Sequence, residues 1–483
     1  MGQTCRNYIG GKWVASASKE VNKLTNPATG ESLGEVAMST ADEVRSAIGA
    51  AHKAFPEWRR VPPLTRARYL LRLRDKLEEE FDDFAAVVTR EHGKAIDESR
   101  GEVRRAIEML EVAAGIPSLM QGYNSEDIAP GIDEYAIWQP LGVFACLAPF
   151  NFPAMVPFWF FPFAIATGNT YVVKPSPIVP LTMQKAFELI EDIDLPPGVL
   201  NLVNGGPDAA NVLMGSREVI GISFVGSSAI ARIVYKTAAA AGQRVQAQGG
   251  AKNFLTVMPD ANLDKAIPNI MTSVYGCTGQ RCLSGSVVLA VGDTYAELKR
   301  RMVEAASRLK VGNGMDESIE MGPLTTPAKK KSVLDWIAVG ESEGAKLVLD
   351  GRKLKVAGLP DSCFIGPSIF DEVKPNMKIA QEEIFGPVAA LVRVKNLEEA
   401  MATVNASRYG NASTIYTSSG GAAREYRYGV NCGNIGVNVG IVAPMAFFPF
   451  GGRKESFFGD LHGQGKDSIQ FFTDRKVVIE RWM

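Results

Sequence analysis

Between Gly142 and Thr167 the sequence is almost entirely apolar, a run long enough to span a bilayer, and its own punctuation rules that reading out. Pro149, Pro153, Pro157 and Pro162 would each remove a helical hydrogen bond, and Asn151 would set an amide near the middle of the hydrocarbon. A segment this apolar that does not cross a membrane must be buried in protein, so the chain has to build a core around it. With 483 residues, 46% of them hydrophobic and 22% charged, it has enough material for that core and for two or more domains.

Periodicity gives the form of the core. Apolar residues fall at helical spacing over Ala41–Phe55, Leu64–His92 and Ile96–Ala114, so the first part is helix-rich. Short β-rich runs follow at Val143–Leu147, Thr170–Val173, Val199–Val203 and Ile220–Phe224, with helix-compatible segments such as Thr182–Asp192 and Asp208–Met214 between them. This alternation predicts an α/β fold with a doubly wound, mostly parallel sheet. A second α/β pattern starts near Asn253, with strands at Phe254–Met258, Val287–Val291 and Val388–Val394 and helices at Leu263–Tyr275 and Thr294–Leu309.

Charge and cysteine usage narrow the function. The balance of 52 basic and 53 acidic residues leaves a net charge of -1, which offers no global field for nucleic acid or an acidic membrane, so a small molecule is the expected partner. The six cysteines, Cys5, Cys146, Cys277, Cys282, Cys363 and Cys432, are sparse, which suits a reducing compartment. The first residues carry Arg6, Asn7 and Lys12 where a secretory signal needs an apolar core, and the cytoplasm is the expected location.

Cys282 closes the segment Gly279-Gln280-Arg281-Cys282. A cysteine can add to an aldehyde carbon, and the adduct can lose hydride to leave a thioester; a buried small hydrophobe is the alternative for the same residue. Cys277 lies close in sequence, but the two lack matching ligands for zinc, and with only His52, His92 and His462 a histidine-based metal site or hydrolase has few candidates. Asn151, in Pro149-Phe150-Asn151-Phe152-Pro153, follows the predicted strand Val143–Leu147. Its amide is suited to an oxyanion, with the Cys282 N–H as a second donor, although asparagine there is also an ordinary turn residue.

These two motifs, with Val173-Lys174-Pro175-Ser176, Phe224-Val225-Gly226-Ser227, Glu382-Glu383-Ile384-Phe385-Gly386-Pro387 and Pro449-Phe450-Gly451-Gly452, occur in the order found in the aldehyde dehydrogenase superfamily, which the chain resembles over nearly its whole length. The resemblance implies that Cys282 is the nucleophile and Asn151 the oxyanion amide. It also implies a dinucleotide site drawn from Phe150, Lys174, Ser176, Gly226, Ser227, Glu383 and Phe385, with Lys174 at the adenine ribose. Gly226-Ser227 would then open a helix beside the pyrophosphate, and Glu383 and Phe385 would orient the nicotinamide ribose and ring. The family's fold does not use the G-x-G-x-x-G fingerprint, which is missing here. Pro177 stands where many NAD-preferring members have a glutamate, which leaves NADP open; NAD is favoured because no extra basic residue accompanies Lys174.

A second departure concerns the fate of the thioester. Hydrolytic members carry a glutamate that activates water, and the matching position in Gln246-Ala247-Gln248-Gly249-Gly250-Ala251-Lys252-Asn253 is Gln248, which cannot take a proton. Together with Val257-Met258-Pro259-Asp260-Ala261-Asn262 and Asn151-Phe152-Pro153-Ala154-Met155-Val156-Pro157, this makes the chain similar to the coenzyme A-acylating methylmalonate and malonate semialdehyde dehydrogenases; Gln248-Gly249 and Leu283-Ser284 depart from their usual form. That resemblance implies oxidation of an acidic aldehyde with NAD, transfer of the acyl group to coenzyme A and loss of carbon dioxide. Arg105 and Arg281 would hold the substrate carboxylate, and Arg281 is expected to lower the Cys282 pKa. The alternative is a hydrolytic NAD(P)-dependent enzyme acting on another aldehyde, with Glu383 or another acid activating water. A non-enzymatic protein on the same fold would be expected to have lost Cys282 or Asn151.

The resemblance further implies a dinucleotide-binding domain over 1–119 and 140–251, a catalytic domain over 252–450, and an oligomerisation region over 120–139 and 451–483. Strands near Glu134–Trp138 and Ser468–Phe472 are expected to pair across subunits in a homodimer or homotetramer.

Overall fold

The computed structural model describes residues 3–483. The apolar run is divided by its prolines into a strand, Val143–Leu147, and two short helices, Met155–Phe158 and Phe161–Thr167, the second ending at Gly168 with φ 102°. Phe144, Phe158, Phe160, Phe161 and Phe163 are all fully buried. Among the described residues no helix is long and apolar enough to cross a membrane.

Val143–Leu147 is the centre of an eight-stranded sheet ordered Phe457–Gly459, Arg244–Gln248, Val219–Val225, Val143–Leu147, Thr170–Lys174, Leu200–Leu202, Asn7–Ile9 and Lys12–Val14. The five strands from Arg244–Gln248 to Leu200–Leu202 are parallel, and antiparallel pairs extend the sheet on both sides. From Val143–Leu147 the chain winds outward through Thr170–Lys174 and Leu200–Leu202, then returns to the other side with Val219–Val225. Strand order therefore reverses between Val143–Leu147 and Val219–Val225. Ligands of such sheets bind beyond the carboxyl ends of the strands at this reversal. Here those ends lead directly to Phe150-Asn151 and to Gly226-Ser227.

A second sheet of seven strands runs Lys346–Leu349, Ser368–Asp371, Val388–Val394, Val287–Val291, Phe254–Val257, Ala412–Tyr416 and Asn434–Val437, all parallel except the first. Its middle strands match the expected ones; both flanks come from segments that the periodicity did not resolve. In the helix-rich part, Leu64–His92 is two helices, Pro63–Glu79 and Phe81–His92, broken at Glu80.

One expectation fails near the end of the chain. Ser468–Phe472 is not a strand but part of the helix Gly465–Phe472, which buries Gly465, Ser468, Ile469 and Phe472 at helical spacing. The strand was expected from the resemblance alone, and the helical spacing of the buried residues is what the segment follows. The strand lies just beyond, at Thr473–Arg481, and pairs within the chain with Ile132–Pro140, which also pairs with Tyr123–Ala129.

Asn169 ties these parts together. Its Oδ1 accepts from the N–H groups of Leu141 and Gly142 at 2.8 and 2.9 Å, and its Nδ2 donates to the Phe472 carbonyl at 2.7 Å, all buried or nearly so. Asn169→Ala should leave these groups unpaired and cost about 2–4 kcal/mol. The effect is read as unfolding at lower urea; a transition at the parent's urea concentration would show that Asn169 is dispensable.

Candidate active site

The helix Leu263–Tyr275 is followed by a tight turn, Gly276–Gly279, in which Cys277, Thr278 and Gly279 take φ values of 49°, 55° and 70°. Two consecutive non-glycine residues in the left-handed region are costly, on the order of 1–3 kcal/mol each, and persist only where their surroundings hold them. The holders are visible: the Cys277 N–H donates to Glu98 Oε1 at 2.6 Å, and Thr278 Oγ1 donates to the Gly322 carbonyl at 2.9 Å. Beyond the turn, the Cys282 carbonyl accepts from the amides of Asn253 and Asn411 at 2.8 and 2.9 Å. The backbone of Cys282 is thereby fixed while its side chain, partly accessible, lines a cavity of about 340 Å³.

Arg105 and Arg281 line the same cavity, with an apolar wall that includes Phe152, Trp159 and Phe450. Both guanidinium groups are already partnered on one side: Arg105 with Glu108 at 2.9 Å and Arg281 with Glu98 at 3.3 Å. Each retains further N–H donors. The cavity thus joins a thiol, two cations and an apolar wall.

Asn151 follows the strand Val143–Leu147 and is buried. Its Nδ2 donates to the Gln280 carbonyl at 3.0 Å, so one amide proton is directed at the loop that carries Cys282 and the other is left for a ligand. The Cys282 N–H faces its own sulfur. Behind Asn151 lies a pair that the periodicity did not reveal, Lys94 and Glu102, 2.7 Å apart and fully buried. The sequence does hold a signal for it: Glu102 falls on the stripe of Ile96, Ser99, Val103 and Ala106 that the helix Ile96–Ala114 buries, and a carboxylate there requires a buried partner.

Arg281 acts on the Cys282 pKa in the expected direction, but the net shift is upward. Burial pushes the thiol up to about 12, the Glu383 carboxylate adds to the rise, and Arg281 pulls the other way without offsetting them. Cys282 is therefore a neutral thiol near neutral pH. Glu383 is itself shifted: burial raises its carboxyl to about 7 against the opposing Ala251 N–H, Lys252, Lys329 and Arg408. Lys252, to which the motifs gave no role, is buried with its Nζ unpartnered and lowered by burial to about 7.

Ser227 and Glu383 line a second cleft, of about 570 Å³, with Ser228, Arg232, Arg408 and Glu455. Ser227 is the residue before the helix Ser228–Ala240, and the Gly226 N–H donates to the Gln248 carbonyl at 3.0 Å. Glu383 accepts from the Ala251 N–H at 2.9 Å, and a Cβ on Gly250 would come within 2.5 Å of its Oε2. Phe385, with φ 57°, meets Phe150 edge to face, ring centres 5.8 Å apart. Lys174 and Ser176 line neither cleft: Lys174 donates to the Pro175 and Gly205 carbonyls at 3.0 and 2.7 Å, and the Ser176 carbonyl accepts from Val179. Gln248 is buried, with its Nε2 3.4 Å from the Phe450 carbonyl and its Oε1 unpartnered.

Residues 13–478 match the model of the aldehyde dehydrogenase family. The chain is 48% identical over 480 residues to malonate-semialdehyde dehydrogenase 3 of Geobacillus kaustophilus, covering 99% of each. Among solved structures, methylmalonate-semialdehyde dehydrogenase of Oceanimonas doudoroffii superposes with a TM-score of 0.98 at 41% identity, over 100% of this chain and 99% of the other. A Sinorhizobium meliloti protein assigned the same activity and complexed with NAD also superposes with a TM-score of 0.98, at 42% identity and the same coverage.

Because alkylation follows the thiolate fraction, inactivation by iodoacetamide should quicken about tenfold per pH unit from pH 8 to 10 without levelling. A plateau near pH 8.5, where an ordinary thiol titrates, would contradict the buried neutral thiol.

Proposed function

The chain belongs to the aldehyde dehydrogenase family, and we propose that it oxidises malonate or methylmalonate semialdehyde, with NAD, to acetyl- or propionyl-coenzyme A through a thioester on Cys282. One observation carries the reading: Cys282, Arg105 and Arg281 line a single cavity. Two guanidinium groups suit a carboxylate in a planar, paired manner, and placing them around the thiol selects an aldehyde bearing an acid. The names of the relatives point to the same substrate class.

Cys282 is the nucleophile and must lose its proton to react. Among the groups whose charge acts on it, Glu383 is the carboxylate, and at about 7 it can accept a proton near neutrality. As the thiol adds to the carbonyl, the Asn151 amide and the Cys282 N–H take the oxyanion. The residues around the second cleft suit a dinucleotide: Gly226 and Ser227 stand at the start of a 13-residue helix beyond the strand-order reversal, Arg232 and Arg408 are near it, and Gly250 lets the Glu383 carboxylate lie close against the main chain. Phe150 and Phe385 would flank the nicotinamide, while Lys174 and Ser176 close the adenine end. NAD, when bound, supplies the hydride acceptor. The complex of the Sinorhizobium meliloti relative with NAD supports this choice over NADP.

Gln248 decides how the thioester is released. An amide cannot activate water, so the thioester waits for a better nucleophile, and the thiol of coenzyme A is one. The favoured product is therefore an acyl-coenzyme A, with carbon dioxide released from the β-carboxylate. Glu383 is the observation that favours a second reading, hydrolysis to a free acid.

We further assign 1–119 with 140–251 to dinucleotide binding, 252–450 to catalysis, and 120–139 with 451–483 to oligomerisation, except for Phe457–Gly459, which completes the eight-stranded sheet. Tyr123–Ala129 and Thr473–Arg481 are the edges of their three-stranded sheet, and Val477 and Ile479 are exposed on the second. Such edges suit a homodimer or homotetramer. A cytoplasmic location agrees with six free thiols.

Malonate semialdehyde should reduce NAD in a coenzyme A-dependent reaction that yields acetyl-coenzyme A. Equal turnover without the thiol, giving a free acid, would overturn the acylating reading. Arg105→Leu should raise the KM for this substrate by about 10- to 100-fold, the range of a lost charge-assisted hydrogen bond, and leave propanal unaffected; an unchanged KM would remove Arg105 from the substrate site.

A further inference from the structure

The buried ion pair behind Asn151 does more than fill space. Lys94 follows Gly93, the left-handed residue that ends the helix Phe81–His92, and its side chain is fully buried. Its Nζ donates to Glu102 Oε2 at 2.7 Å and to the Asn151 carbonyl at 2.6 Å, and it sits 4.1 Å from the centre of the Phe152 ring. Glu102 Oε1 accepts from the N–H groups of Ala154 and Met155 at 2.8 and 3.1 Å. One pair of charges thus grips the loop at Asn151, Phe152, Ala154 and Met155. Burying two charges costs several kcal/mol per ion, and an apolar pair of similar volume often stabilises as well or better. Fold stability alone is therefore a weak reason for the pair. Glu102 also borders the Cys282 cavity, but the side-chain hydrogen bonds of the pair, beyond the one between its members, all fall on the residue that carries the amide and on the turn just after it, and that amide is bonded to Gln280, two residues before Cys282.

We propose that Lys94 and Glu102 are positioning residues that fix the direction of the Asn151 amide relative to Cys282, through hydrogen bonds to the Asn151–Met155 main chain. Neither touches the reacting atoms. The inference rests on Asn151 being the oxyanion amide, and the test separates the two. K94M/E102M removes both charges together and leaves neither unpaired. K94Q/E102Q gives each of the pair's hydrogen bonds a neutral counterpart: the amide at position 94 can donate to the Asn151 carbonyl, and the amide at position 102 can accept from Ala154 and Met155 while donating to the one at 94.

N151A should lower kcat by about 100- to 1,000-fold, the range for a lost oxyanion donor. K94M/E102M should lower kcat by about 10- to 100-fold with aldehyde KM within about twofold, and by less than about twofold when added to N151A, because residues that act through one group are not additive. K94Q/E102Q should keep kcat within about threefold of the parent. Full activity of N151A would overturn the oxyanion reading and this inference with it. A large N151A effect, with K94M/E102M costing as much on top of N151A as in the parent, would overturn only the positioning role. So would an unchanged kcat for K94M/E102M. If K94M/E102M does not fold, K94Q/E102Q decides: a kcat as low as that of N151A overturns the proposal, and retention supports it.

Discussion

A single added carbon at Gly279 would lie 2.2 Å from the carbonyl oxygen of Gly386 and 2.9 Å from the nitrogen of Pro387. That closeness brings two distant parts of the chain into one candidate site. On one side the turn leads into Cys282; on the other, Gly386 follows Glu383 and Phe385. No side chain fits between them, so the thiol and the carboxylate that acts on it are set by a backbone-to-backbone contact. The φ of 70° at Gly279 asks for glycine as well, so space and conformation impose the same residue.

Around that contact, charges are kept inside the protein where their interactions are strong and their solvation poor. Glu383 and Lys252 are each driven by burial toward a pKa of about 7, from opposite directions. Cys282 is driven to about 12 by the same burial. The interior thus holds the Cys282 thiol protonated near neutral pH, while the Glu383 carboxyl titrates there. Lys94 and Glu102, by contrast, have each other, and their remaining hydrogen-bonding capacity is directed at main-chain groups.

How much of this could be read from the sequence depended on the range of the interaction. The strand Val143–Leu147 and the helix Ile96–Ala114 were legible to the residue, because buried strands and amphipathic helices write their period locally. Cys282, Asn151, Arg105 and Arg281 stood out by residue type and resemblance as candidates, and the fold brings the thiol and both arginines to one cavity. Lys94 was not, because its partners, Glu102 and the Asn151 carbonyl, lie 8 and 57 residues away. Ser468–Phe472 was placed by resemblance and not by its own pattern, which from Gly465 to Phe472 has helical spacing. The raised thiol pKa was hidden for a related reason: Arg281 is adjacent in sequence, but the burial that outweighs it belongs to the whole fold.

The helix Gly465–Phe472 also links regions that differ in purpose. Gln464, the residue before it, lines the cavity that holds Cys282, and Thr473, the residue after it, begins the exposed strand Thr473–Arg481. Eight helical residues are a rod of about 12 Å, and Asn169 fastens its far end to the central sheet through the Phe472 carbonyl. The rod therefore fixes the span between Gln464 in the wall of the Cys282 cavity and Thr473 at the start of the outer strand.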